Sequence, residues 1–141
     1  MSFAGLPRDG LLTIGQIVGT NRVRFHVKQN GMSVALELLA IHSLGGPVVD
    51  DAGKFVGFIS EFDVLRIIES GGDLAHTTAD QIMNTAHIVV RDSTSITDAI
   101  KIMTENHSLM LPVEKDGKVS QSVTRHDLLR ARIGLGLEFE S

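Results

Sequence analysis

The sequence predicts an α+β fold made of two copies of a β-α-β-β-α unit packed on each other, and three observations predict it. First, the chain reads twice at an offset of 64 to 65 residues: Gly15-Gln16-Ile17-Val18-Gly19-Thr20 aligns with Asp80-Gln81-Ile82-Met83-Asn84-Thr85, His42-Ser43-Leu44 with His107-Ser108-Leu109, and Pro47-Val48 with Pro112-Val113. Gly53-Lys54 and Ser60-x-x-Asp63-x-Leu65-Arg66 then match Gly117-Lys118 and Thr124-x-x-Asp127-x-Leu129-Arg130. Second, each copy carries an apolar stripe at i, i+3, i+4, i+7, in Met32, Ala35, Leu36, Leu39 and in Ile96, Ala99, Ile100, Met103, the signature of an amphipathic helix. Third, 141 residues with 43% hydrophobic and 21% charged side chains suffice for one compact core and lie far from the composition of disorder.

In the first copy the pattern predicts a strand over 23–27, a helix over 33–43, strands over 46–49 and 55–59, and a helix over 61–70. The second copy runs as a strand over 88–90, a helix over 96–107, strands over 111–114 and 119–123, and a helix over 125–133. Asp50-Asp51-Ala52-Gly53 and Lys115-Asp116-Gly117-Lys118 supply the Asp and Gly of tight hairpins, where positive φ is required. Gly71-Gly72 caps the first copy's last helix. Residues 1–12 then read as an N-terminal extension, 13–72 and 78–133 as the two repeats, 73–77 as their linker and 134–141 as a tail without helical pattern. Val34, Leu38 and Ile41 flank the first helical stripe and Val64, Ile67 and Ile68 crowd the next. A repeat of about 60 residues cannot cover that much apolar surface alone, so the repeats are expected to pack together and on a second chain.

Composition narrows function. Thirteen Lys and Arg against seventeen Asp and Glu give a net charge of −4, and with no Trp or Tyr and six Phe there is neither a basic stripe nor an aromatic stacking platform for nucleic acid. The lack of cysteine removes thiol nucleophiles, disulfides and Cys-based metal sites. No two histidines have the spacing of metal ligands on one helix, so no metal is expected. No apolar run approaches the roughly 18–20 residues of a membrane span, and the N-terminus lacks a signal pattern, so a soluble, cytoplasmic protein is expected. There is no nucleophile–base pair and no phosphate-loop lysine motif, which argues against an enzyme.

The ordered set of marks resembles a tandem pair of cystathionine-beta-synthase (CBS) domains, the Bateman module, over about residues 13–133. Those marks are the Asp80-Gln81-Ile82-Met83 segment, the Pro-Val strand, the Asp-Gly hairpin and the Gly57-Phe58-Ile59-Ser60-Glu61-Phe62-Asp63 run entering a helix. The resemblance implies a pseudo-two-fold unit with two clefts, an adenosine-containing ligand (AMP, ADP, ATP or S-adenosylmethionine) rather than an obligatory cofactor, a homodimer, and a regulated protein recruited in trans. The alternative is a ligand-free dimeric scaffold. Ligand-binding positions implied by the resemblance are Thr124, Arg125, His126, Asp127, His107, Ile88 and Leu111, with Ser60, Asp63, His42, Gly46 and Val23.

The hydroxyl–carboxylate pairs and the two helix-end histidines have purely structural alternatives. Ser60-x-x-Asp63 and Thr124-x-x-Asp127 have the spacing of helix capping boxes, worth about 1 kcal/mol, as does Ser95-x-x-Asp98. A helix N-terminus can also receive a phosphate beside its capping hydroxyl, and the resemblance implies that Asp63 and Asp127 accept from ribose hydroxyls. His42 and His107 suit a helix C-terminus equally well. Arg125 and His126 follow Thr124 where Glu61 and Phe62 follow Ser60, which makes the second copy the better host for a phosphate. Gly45-Gly46 are expected to leave room for a ligand in the first copy, whereas Met110 and Gln121, at positions matched by Gly45 and Gly57, are expected to narrow the second.

Overall fold

The computed structural model describes residues 12–135. It has the two-repeat α+β architecture. The first repeat contains β1 (Phe25–His26), α1 (Gly31–Ala40), β2 (Gly45–Val49), β3 (Phe55–Ser60) and α2 (Glu61–Glu69); a short α3 (Ala79–Ile82) follows. The second contains β4 (Val90–Arg91), α4 (Ile96–Asn106), β5 (Met110–Lys115), β6 (Lys118–Thr124) and α5 (Arg125–Arg132). Each repeat forms a three-stranded sheet, ordered β1-β2-β3 and β4-β5-β6, with the outer short strand parallel to the middle one and the hairpin antiparallel. The register slips at Val48/Val49 in one sheet and at Val113/Glu114 in the other, 65 residues on. The symmetry of the sequence thus extends to the irregularities of the sheets.

Local chemistry sets the element ends. Asp50 Oδ1 accepts from the backbone N–H of Ala52 and Lys54 and closes the first hairpin with Gly53 at φ 83°, and Asp116 and Gly117 turn the second at φ 54° and 78°. Helix α1 starts two residues before the predicted position because Asn30 caps it, accepting from Met32 and Ser33. It also ends earlier than predicted, because the chain turns left-handed at His42, φ 54°; His107 does the same after α4 at φ 52°. The N–H groups of Ser43 and Ser108 then close each end on Leu38 and Met103, five residues back, as in a Schellman motif. Gly71 caps α2 as expected, at φ 86°. The predicted strand over 23–27 pairs only at Phe25–His26, and the one over 88–90 moves to Val90–Arg91.

The segments leading into the repeats are exchanged. Leu12, Ile14 and Ile17 are buried with Val90, Ile96, Ala99 and Met103 in the core of the second repeat, while Leu74, Ala79 and Ile82 are buried with Phe25, Val34, Leu38 and Ile59 in the core of the first. Matching hydrogen bonds tie both crossings. Ile14 and Gly15 donate to the carbonyls of Thr94 and Asp92, and Ala79 and Asp80 donate to those of Gln29 and Val27. Thr13 bridges Ser95 as Thr78 bridges Asn30. Every pair reproduces its partner at an offset of 65, so the molecule has an internal pseudo-two-fold with β2 lying against β5 and β6. Of the expected terminal segments, 1–11 and 136–141 lie outside the described residues.

Candidate functional site

Two clefts open between the repeats, each at the start of the last helix of one repeat. The larger, about 480 Å³, is lined by Phe58, Ser60, Glu61 and Phe62 from the first repeat and by His87 and residues 107–110 from the second. The smaller, about 270 Å³, is lined by Thr124, Arg125 and His126 with Thr20, Asn21 and residues 41–44. They are pseudo-symmetry mates: Ser60 corresponds to Thr124, Glu61 to Arg125, Phe62 to His126 and the His107 turn to the His42 turn. Leu44, Leu109 and Met110 border both clefts and form their common wall.

Both capping boxes are formed. Asp63 N–H donates to Ser60 Oγ at 3.2 Å while Ser60 N–H and hydroxyl donate to Asp63 Oδ2 at 2.8 and 3.0 Å. Asp127 N–H donates to Thr124 Oγ1 at 3.2 Å and Thr124 N–H to Asp127 Oδ2 at 2.9 Å. The second carboxylate oxygens differ in partner. Asp63 Oδ1 receives the Arg66 guanidinium at 2.7 Å, one turn along its own helix, whereas Asp127 Oδ1 receives the backbone N–H and hydroxyl of Thr20 from the other repeat, at 3.2 and 2.8 Å. Both aspartates are buried. Ser95 caps α4 by the same logic away from both clefts, accepting from Asp98 N–H at 3.0 Å.

The structure gathers Ser60, His107, Thr124, Arg125, His126 and His42 at the clefts, with Asp63 and Asp127 behind their capping partners. It does not bring Val23, Gly46, Leu111 or Ile88 to them. Val23 and Leu111 are in the cores of their repeats, and Ile88 is exposed. The expectation that Gly45-Gly46 leave space for a ligand is corrected: a Cβ on Gly45 would meet the Ile59 carbonyl oxygen at 2.6 Å and the Phe58 ring at 2.7 Å, and one on Gly46 would meet Val23 Cγ1 at 2.6 Å. These glycines let the middle strand of the sheet be packed tightly from both sides. Met110 does narrow the site region, from the shared wall; Gln121 instead reaches Gly19, where its Oε1 would be 2.8 Å from an added Cβ.

Residue-by-residue reading missed His87, Phe58 and Thr20. His87 stacks on Phe58 with ring centroids 3.9 Å apart and planes 9° apart, and its Nε2–H donates to the Met110 carbonyl at 3.2 Å. Burial pushes its imidazole below the ordinary 6.5, against the opposing pull of the Met110 hydrogen bond and the Asp63 charge. The pair is therefore a neutral aromatic face in the larger cleft. Phe58 stood inside the quoted Gly57–Asp63 run, and Thr20 closes the aligned hexapeptide; only a positional comparison across repeats could have flagged them.

Comparison with known proteins fits this geometry. The CBS domain family model matches residues 25–70 and 79–134. The chloroplastic CBS domain-containing protein CBSX1 of Arabidopsis thaliana is 29% identical, covering 94% of this chain and 69% of its own length. The crystal structure of CBSX2 in complex with AMP superposes with a TM-score of 0.74 at 27% identity, covering 86% of this chain and 96% of that one. An uncharacterized conserved protein from Pyrococcus horikoshii shares the fold at a TM-score of 0.75 and 21% identity, covering 94% of this chain and all of its own.

Proposed function

Because the chain belongs to the CBS-domain family, we propose that it is a regulatory ligand-sensing module whose clefts take an adenosine-containing ligand. The observation that carries this reading is the pair of helix N-termini, each with a hydroxyl and a buried carboxylate, opening onto a cleft between repeats. The AMP complex of CBSX2, a relative over nearly all of this fold, supports the ligand class. Small-molecule sites usually measure about 300–1,000 Å³. The larger cleft, about 480 Å³, is within that range; the smaller, about 270 Å³, is slightly below it.

The clefts divide the ligand chemistry. Stacking against the Phe58–His87 pair suits a purine in the larger cleft, and Glu61 at its mouth favours a ligand with few phosphates or a cationic sulfonium, such as S-adenosylmethionine. Arg125 and His126 beside the start of α5 favour a phosphate in the smaller cleft, the nucleotide end of the range from AMP to ATP. Ser60 and Thr124 present hydroxyls, and ribose hydroxyls reach Asp63 and Asp127 by taking the Oδ1 positions that Arg66 and Thr20 hold in the free protein. The module acts as a homodimer whose shape changes with occupancy, and a partner protein reads that shape. Such transmission requires ligand affinity to differ between the shapes.

A second reading, a ligand-free dimeric scaffold, draws on one observation: His87 already fills space against Phe58, and Met110 takes the wall between clefts. Thermal denaturation with AMP, ATP and S-adenosylmethionine decides between them. A ligand at about 100 times its Kd adds roughly 2.7 kcal/mol of stability, and a scaffold gives no shift with any of the three. Asp63→Ala and Asp127→Ala, measured separately, assign the shift to the larger or the smaller cleft.

A further inference from the structure

We propose that Arg22 and Arg24 form a docking row for an acidic, extended segment of another protein. The inference deepens the reading of a module that signals to a partner and rests on it for that partner. From residue 22 to residue 28 the chain alternates basic with apolar side chains: Arg22, Val23, Arg24, Phe25, His26, Val27, Lys28. Burial follows the alternation, with Val23 and Phe25 in the core of the first repeat and Arg22, Arg24 and Lys28 exposed. The basic side chains therefore share the outer face of β1 and its lead-in, at the edge of the β1-β2-β3 sheet.

The row sorts into neutralised and free charges. His26 meets the Asp51 carboxylate, and Lys28 Nζ meets Asp80 Oδ2 at 3.2 Å. Arg22 and Arg24 enter no ion pair among the described residues, and residues 10–36 contain no Asp or Glu in a chain of net charge −4. The fold does not ask for these two cations, since their pseudo-symmetry mates are His87 and Val89. Guarding a bare sheet edge does not ask for them either. Gln29 already closes β1, its Oε1 accepting from the His26 N–H and its own N–H donating to the His26 carbonyl. That closure blocks strand addition at β1 and leaves recognition to the guanidinium groups, whose forked donors match carboxylates. Arginines on alternate residues of an extended chain stand about 7 Å apart, the same spacing as acids on alternate residues of an extended peptide. A short acidic segment meets only this acid-free stretch, whereas a nucleic acid would run on over a surface of net negative charge. Thr20 and Asn21, which line the smaller cleft, immediately precede the row and set the docked segment beside the ligand site.

The probe is a fluorescein-labelled peptide of alternating Glu and Thr, with a Gln-Thr peptide as its neutral control, followed by fluorescence anisotropy in the absence of nucleotide. The acidic peptide is expected to bind and the neutral one not, with weakening as salt rises from about 50 to about 300 mM. Arg22→Glu combined with Arg24→Glu is expected to weaken binding at least about tenfold at an unchanged melting temperature. Lys115→Glu combined with Lys118→Glu makes an equal change of charge on the second hairpin and is expected to cost less than about threefold. Equal losses from the two pairs would reduce the effect to net charge and overturn the docking row, as would failure of the acidic peptide to bind. Arg22- and Arg24-dependent binding of a single-stranded DNA oligonucleotide or of phosphatidylserine vesicles, with none of the peptide, would overturn it in favour of a nucleic acid or a membrane. No arm contains a nucleotide, so these outcomes are separate from those of the ligand reading, which the thermal shift decides.

Discussion

Thr20 holds Asp127 across the boundary between repeats: its backbone N–H and its hydroxyl both donate to Asp127 Oδ1, at 3.2 and 2.8 Å. The carboxylate at the start of α5 is 2% exposed and so depends on a residue 107 positions earlier for two of the three hydrogen bonds it accepts. Its counterpart Asp63 meets that need locally through Arg66. The carboxylate behind the smaller cleft is therefore held by contact between repeats and the one behind the larger by contact within one helix.

Replacing Thr20 with Val keeps the side-chain shape and the backbone donor but removes the 2.8 Å hydroxyl bond to a buried carboxylate. A loss of about 1.5–3 kcal/mol is expected, as for hydrogen bonds to charged groups. Urea denaturation of wild type and Thr20→Val checks it, and an unchanged midpoint would show that Asp127 is satisfied without Thr20.

His87 gives the protein a pH dependence with a definite sign. Its folded pKa lies below 6.5, so between the two values the unfolded chain binds a proton that the folded chain declines. The associated stability is present above pH 6.5 and is lost as pH falls through 6.5 toward the folded value. His87→Phe, which keeps a ring on Phe58, is expected to flatten that loss. Melting temperatures at about pH 7.5 and about pH 5 for both proteins test it, since carboxylates common to the two cancel in the comparison.

Gly45→Ala tests the packing role assigned to the Gly45-Gly46 pair. The new methyl would stand 2.6 Å from the Ile59 carbonyl oxygen, a backbone atom held in the β2–β3 ladder. Overpacking of this kind costs about 1–3 kcal/mol. A variant as stable as wild type in a thermal melt would mean that the sheet yields easily at this point.

Asn30→Ala removes the cap of α1 and a tie to the exchanged segment at once. Asn30 Oδ1 accepts from Met32 and Ser33, while its Nδ2 donates to the Ala75 carbonyl at 2.7 Å. The cap alone is worth about 1 kcal/mol. Hydrogen exchange is expected to accelerate in both 31–34 and 74–82; acceleration confined to α1 would separate the cap from the crossing.

The architecture was legible because it is written twice. Periodicity placed all four long helices and both hairpins, and Gly53, Gly71 and Asp116–Gly117 turned where turn chemistry demands. The two short outer strands were placed but with the wrong extent, because their pairing is decided by neighbours remote in sequence, and the four-residue α3 is too short for a periodic pattern to register. At the clefts, hydroxyl-carboxylate spacing was readable because capping is local. Thr20, His87 and the wall of Leu44, Leu109 and Met110 were not, since each matters only through what the other repeat sets beside it. Glycine at 45 and 46 was misread for the same reason: an absent side chain can make room for a ligand or for a neighbour, and Phe58, Phe25 and Val23 claim it.

The exchange of leaders also bears on ancestry. The lead-in carrying Ile14 and Ile17 fits the second sheet, and the one carrying Ala79 and Ile82 fits the first, through hydrogen bonds repeated 65 residues apart. A gene encoding a single unit would therefore make a polypeptide whose leader has no place on its own body. Two such polypeptides could complete each other only by swapping leaders, and the product would have this same outline with a true two-fold in place of the approximate one. Joining two such units in one chain turns an intermolecular swap into an intramolecular one and leaves each half free to differ from the other, as Glu61 differs from Arg125.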